Sequence, residues 1–207
     1  MNNFLKLKLP LNPVKDMKII ENVKIQGGYN LAYPNQILTD EMLSIFKEWG
    51  LRPKFVTLFG RNDHFGNMDT RMIHTDIALN KEGKWEKLLF GINWEITGHH
   101  NIFSWWDMSS VPEAWPGPDE SIAKKYDYLN GIHYVDRLNM GVPEGAIKIE
   151  ETLIDSPTLV RTDLPHATVY KATPGATLNR VAVSVRFFED DFSSWEDVYK
   201  FFEKYSV

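Results

Sequence analysis

At 207 residues and 24.0 kDa, with 43% hydrophobic and 13% aromatic residues, the chain has material for one large domain with a sizeable core. Its net charge of −5 is spread along the chain, which argues against a nucleic-acid partner, since phosphate binding needs a concentrated basic face. Cysteine is absent, which excludes disulfides, iron–sulfur clusters and thiolate zinc sites and leaves only His, carboxylate or neutral oxygen as metal ligands.

Met1 to Pro10 lacks the apolar core and small-residue cleavage site of a secretory leader. No apolar run approaches the ~20 residues that span a bilayer, so a cytoplasmic protein without a membrane partner is expected. Residues 1–52 read as an N-terminal extension, irregular or short-stranded at first, with a strand expected over Lys18 to Gln26 before the Gly27-Gly28 turn. A buttressing helix follows: Thr39 caps it, Asp40 and Glu41 complement its dipole, Met42, Phe46 and Trp49 recur at helical spacing, and Gly50 ends it.

Residues 53–190 form the expected core. Short β-branched and aromatic runs are divided by turns: KFVTLFG, RMIHTDIAL, KLLFGINWEI, NIFSWWDM, AIKIEETLI, TLVRTDLPHATVY and NRVAVSVRFF. Strands at this spacing predict a mainly β sandwich or barrel. Ser109 to Val142 interrupts them with three Pro before Ile122 and reads as an insertion with some helix, of the kind that forms binding loops. Over residues 191–207, Ser193 to Glu196 reads as a capping box opening a final amphipathic helix through Phe201 and Phe202. No repeat and no second domain is evident, so residues 1–207 are taken as one domain.

Six histidines occur: His64, His74, His99, His100, His133 and His166. His74 and Asp76 stand two apart in a run of strand composition, so imidazole and carboxylate project from one face. A second His would complete a 2-His-1-carboxylate facial triad, which leaves adjacent positions open on a six-coordinate iron. His133 and His166 compete for that place. His166 is preferred, because Pro165 fixes its backbone and a strand follows, whereas His133 lies in the insertion and ligands belong on rigid elements.

The last strand is clean in its alternation. Val181, Val183, Val185 and Phe187 share one face; Arg180, Ala182, Ser184 and Arg186 share the other. A buried arginine needs an opposite charge, and a bound dicarboxylate would provide it through bidentate contacts. The two arginines lie roughly 20 Å apart along an extended strand and could grip both ends of one small diacid. Alternation alone leaves open whether this face is instead solvated or salt-bridged to Asp or Glu.

His74-x-Asp76, a distal His166 in a D-x-P-H context and Arg180 fourteen residues beyond it resemble the 2-oxoglutarate/Fe(II)-dependent dioxygenases over roughly residues 55–190. The resemblance implies a double-stranded β-helix, a jelly roll of cupin-like form with a few flanking helices. It implies Fe(II) on His74, Asp76 and His166, and 2-oxoglutarate as co-substrate with its far carboxylate on Arg180. The spacing Arg180-x5-Arg186 is similar to the paired arginines of the nucleic-acid demethylase branch, where both contact the co-substrate. The family also implies a polar residue on a neighbouring strand touching 2-oxoglutarate, and Asn93 is the candidate. The activity implied is hydroxylation of a small-molecule or peptidyl substrate with release of succinate and CO₂, and retention of Asp76 favours this over halogenation.

Trp94, Trp105 and Trp106 are candidates for a pocket wall, with core packing the more frequent role of such residues. Glu95 and Asp107 are rival carboxylates, and His99-His100 reads as a hairpin tip. Two rival functions remain: a cupin-like metalloenzyme that uses no 2-oxoglutarate, and a non-catalytic jelly-roll binding protein. Neither the primary substrate nor the oligomeric state is written in the sequence.

Overall fold

The computed structural model describes residues 1–26, 28–62, 72–79, 85–98, 101–111, 126–128, 132–136, 139–140, 142–170, 179–188 and 192–207. The N-terminal part runs β1 (Phe4–Lys6), α1 (Met17–Gln26), β2 (Gly28–Ala32), α2 (Pro34–Ile37) and α3 (Asp40–Glu48). Then come β3 (Pro53–Asn62), β4 (Met72–Ile73), β5 (Asp76–Leu79), β6 (Trp85–Lys87), β7 (Phe90–Thr97) and β8 (Asn101–Asp107). The remainder is β9 (Tyr126–Tyr128), β10 (Ile132–Asp136), β11 (Asn139–Met140), β12 (Ile147–Leu153), β13 (Thr158–Arg161), β14 (His166–Tyr170), β15 (Asn179–Phe187) and α4 (Trp195–Glu203). The protein is mainly β, and its strands pair antiparallel.

Six strands form the larger sheet in the order β1-β13-β7-β15-β3-β2, and β12-β8-β14 form a second. His74 extends the second sheet through an isolated bridge to His166, in which the two residues exchange backbone hydrogen bonds of 2.9 and 2.8 Å. β5 lies between β6 and β10, β10 also pairs with β9, and β4 pairs with β11.

Both faces of β15 are buried, which settles the question its alternation raised. Val181, Val183, Val185 and Phe187 pack with Ile20 and Val23 of α1, Met42 and Phe46 of α3, and Trp195, Val198 and Phe202 of α4. On the other face Ala182, Ser184 and Arg186 are buried too. That face looks toward the second sheet, as Val160 of β13 does in packing with Phe103 and Trp105 of β8. The larger sheet thus stands between a helical layer and a second β layer.

Thr39 caps α3 by accepting a 3.1 Å bond from the Met42 amide. Gly50 (φ 75°) follows the helix, its amide donating to the Lys47 carbonyl and the Leu51 amide to that of Phe46, a Schellman arrangement that needs a residue comfortable at positive φ. At α4 the cap is Ser194, which accepts from the Asp197 amide; Asp197, rather than Glu196, takes the hydroxyls of Ser193 and Ser194.

Several expectations are corrected. Lys18 to Gln26 belongs to helix α1, because Ile20 and Val23, three apart, face the core, and Asp16 receives the Lys18 and Ile19 amides at the helix start. Residues 1–52 do more than buttress: β1 and β2 are the two edge strands of the larger sheet. The runs RMIHTDIAL and TLVRTDLPHATVY each break into two strands. Within the insertion, the described residues include β9, β10 and β11, of which β10 and β11 pair with the strands that flank His74 and Asp76. Among the described residues, no helix is long and apolar enough to cross a membrane.

Candidate metal centre

His74, Asp76 and His166 form the group of possible metal ligands found among the described residues, with one donor atom from each lying within 4.8 Å of the others. Asp76 Oδ1 is 3.6 Å from His74 Nε2 and 3.7 Å from His166 Nε2. Donors about 2.1 Å from one divalent ion stand about 3.0 Å apart at right angles and about 3.4 Å apart at tetrahedral angles. Around one ion the two Asp76–imidazole separations would close by about 0.2–0.7 Å, and the widest donor pair, at up to 4.8 Å, by about 1.4–1.8 Å.

The local fold delivers these side chains by a change of partner between neighbouring residues. His74 pairs with His166 on the second sheet; two residues on, the Asp76 amide donates to the Thr162 carbonyl (2.9 Å), and the Leu88 amide donates to the Asp76 carbonyl (3.0 Å). The Thr162 hydroxyl in turn donates to the Leu88 carbonyl (2.6 Å), so the backbone carrying the carboxylate is braced. The two imidazoles face each other with ring centroids 4.3 Å apart, and His166 stacks on Phe103 at 4.9 Å.

His166 is fully buried and its Nδ1 lies 2.8 Å from the Leu164 carbonyl. A carbonyl only accepts, so Nδ1 carries the proton and the Nε2 lone pair is turned to the cluster, the tautomer a metal requires. Burial first, and then the neighbouring His74, push its pKa down to about 3, so the ring is neutral at pH 7. This makes a prediction for the metal-free protein. An unfolded His166 takes up its proton near 6.5 and the folded one near 3, so the unfolded state holds more protons between those values. The stability His166 contributes is complete above about pH 6.5 and falls as pH drops toward 3, a loss on the order of 4 kcal/mol. Thermal unfolding of metal-free protein between pH 7 and 4.5 is expected to show the decline, and His166→Asn to flatten it.

The carboxylate is held from behind. Arg186 Nη2 donates to Asp76 Oδ2 at 2.5 Å, which leaves Oδ1 facing the imidazoles. Arg186 Nη1 also donates to the Ser184 hydroxyl, and Ser184 donates to Asn93 Oδ1, so Asn93, Ser184, Arg186 and Asp76 form one hydrogen-bonded chain. The guanidinium lies across Gly91, its cross-strand neighbour, where an added Cβ would overlap Nη1 and stand 2.6 Å from Cζ. Arg186 is thus placed at Asp76, while Arg180 lies toward the other end of the same face of β15.

Asn93 sits on β7 opposite Ser184 and points with it to the interior. Trp94, Trp105 and Trp106 do not form one wall. Trp94 packs on the helical side with its indole donating to the Pro10 carbonyl, and Trp105 and Trp106 occupy opposite faces of β8. The rival carboxylates lie elsewhere: Asp107 accepts from the Ser109 amide and Glu95 from the Asn101 amide. His64, His99 and His100 fall outside the described residues, and for His133 only the backbone, in β10, is described.

Sequence reasoning passed over Gly91 and Asn101, and placed Ser184 on the arginine face without giving it a role. Gly91 carried a signal, since a glycine inside a strand marks close approach of another group. Asn101 is fully buried on the face of β8 that carries Phe103 and Trp105, and among the described residues neither oxygen nor nitrogen of its carboxamide has a hydrogen-bond partner. Comparison with family models, with characterised proteins and with solved structures gives no match for this chain.

Proposed function

We propose that the protein is a 2-oxoglutarate-dependent oxygenase that holds Fe(II) through His74, Asp76 and His166 on a double-stranded β-helix. The observation that carries the reading is the convergence of two imidazoles and one carboxylate oxygen, with Asp76 Oδ2 taken by Arg186 so that the carboxylate offers a single donor. That set matches a facial triad and leaves room for further ligands on one ion. The topology supports a jelly roll: β3, β7, β13 and β15 lie in one sheet, and β8, β12 and β14, with His74 beside β14, lie in the other.

Bound Fe(II) with 2-oxoglutarate and O₂ would supply the oxidising power, one atom of O₂ passing to succinate as the keto acid loses CO₂ and the other to a substrate C–H bond. The chain's own part is to bind, orient and exclude water. Arg180 would hold the far carboxylate, with the small side chains of Ala182 and Ser184 leaving space between it and Arg186. Asn93 stands beside that space, and the Asn101 carboxamide, buried without a protein partner, suits a polar ligand on the interior face. The substrate is a small molecule or a peptidyl side chain.

Anaerobic titration with Fe(II) and then 2-oxoglutarate tests the reading. A weak visible charge-transfer band, lost in Asp76→Ala, is the expected result. Fe(II) binding without the band would favour a keto-acid-independent cupin chemistry, and no metal binding at stoichiometric level would leave a non-catalytic jelly roll.

A further inference from the structure

We propose that Asn101 recognises the far carboxylate of the keto acid, its side-chain N–H donating to one oxygen, and so selects a diacid over a keto acid with an apolar end. The inference rests on the co-substrate reading above and adds a specificity residue that neither the triad nor the arginine pattern supplies. Asn101 is 0% exposed, and among the described residues neither atom of its carboxamide has a hydrogen-bond partner. A buried donor and acceptor left unmade destabilise the fold, and native proteins keep such groups where a ligand or an ordered water completes them.

The backbone of Asn101 is fixed on both sides. Its amide donates to Glu95 Oε2 at 3.0 Å, and its carbonyl accepts from the Ile154 amide at 2.9 Å. The side chain shares the face of β8 that carries Phe103 and Trp105, whose packing with Val160 sets that face between the two sheets. Glu95 stands opposite Ala182 on β15, so its bond to Asn101 brings the residue to the level of the stretch between Arg180 and Ser184. Along β8, Asn101 lies four residues from Trp105, the cross-strand partner of His166, which is roughly 13 Å. A five-carbon diacid chelated at the triad, one hydrogen bond and the carboxamide itself together span that separation. Rotation about the last side-chain bond exchanges the oxygen and nitrogen of an asparagine, and a carboxylate, which only accepts, selects the nitrogen. An ordered water then completes the oxygen.

The test is anaerobic isothermal titration calorimetry of the Mn(II)-loaded protein with 2-oxoglutarate and with 2-oxovalerate, a keto acid of the same length whose far end is a methyl group. In Asn101→Leu, loss of a hydrogen bond to a charged group is expected to weaken 2-oxoglutarate by about 10- to 100-fold, while 2-oxovalerate binds as well as to the wild type or better. A second readout separates recognition from packing. The metal-free Asn101→Leu protein is expected to unfold at a higher temperature than the wild type, because an apolar side chain of similar size replaces an unmet carboxamide. Should Asn101→Leu fail to fold, Asn101→Ala is read with the same pair of keto acids. 2-Oxoglutarate bound at wild-type strength by the variant overturns the inference, the carboxamide then holding water only, and leaves the co-substrate assignment in place. A lower unfolding temperature with both keto acids weakened alike marks a structural asparagine and also overturns it. Absence of 2-oxoglutarate binding by the Mn(II)-loaded wild type overturns the co-substrate reading and the inference with it.

Discussion

In His166→Ala, affinity for Fe(II) or Mn(II) is expected to fall by at least about 100-fold, and the keto-acid charge-transfer band to disappear, because second-shell changes alone cost 10- to 100-fold and this change removes a ligand. His166 is the most fully prepared of the three residues. Its Nδ1 proton is committed to the Leu164 carbonyl, its ring is clamped against Phe103, and burial holds it neutral, so none of these conditions must be met when the ion arrives. Without it, what remains is half-buried His74 and a carboxylate already paired with Arg186. Equilibrium dialysis against Mn(II) checks the outcome, with circular dichroism confirming the fold. Metal binding at wild-type strength would exclude His166 as a ligand.

Gly91→Ala is expected to destabilise the protein by about 2–4 kcal/mol and to weaken metal binding as well. A methyl group there overlaps the end of the Arg186 side chain. An exposed arginine would swing aside at little cost. This one is buried and bonded to Asp76 and Ser184, so moving it breaks both contacts and leaves a buried carboxylate without its cation. The check is a double-mutant cycle read by denaturant unfolding: the penalty of Gly91→Ala should shrink in an Arg186→Met background, where the overlapping atoms are absent. Additive effects would show that Gly91 and Arg186 do not meet.

Much of the β architecture was legible because alternation and turn residues report locally, as the stretches that became β3, β7, β8, β12 and β15 illustrate. Helix α1 was misread for the same reason: Ile19, Ile20, Val23 and Ile25 look like strand by composition, and only the burial of Ile20 and Val23 three residues apart shows the helical face. The triad was legible because His74 and Asp76 are close in sequence. Its construction was not. Periodicity describes a continuous strand, whereas these two residues sit where the chain leaves His166 for Thr162 as its backbone partner. The role of Arg186 was hidden in a different way. Sequence left the arginine face of β15 open between a bound diacid, solvent and a salt bridge to Asp or Glu; for Arg186 the partner is Asp76, which no local pattern could single out because it lies 110 positions away in the chain.

The insertion has a meaning for engineering. β10 and β11 hydrogen-bond directly to β5 and β4, with Asp136 opposite Asp76 and Asn139 opposite Ile73. A segment that read as an insertion of the kind that forms binding loops is therefore woven into the scaffold that presents His74 and Asp76. Replacing the stretch between Ser109 and Val142 wholesale would therefore disturb the backbone that carries Ile73 and Asp76, so a transplant should keep the residue pairings along β10 and β11 and vary only the stretches between them.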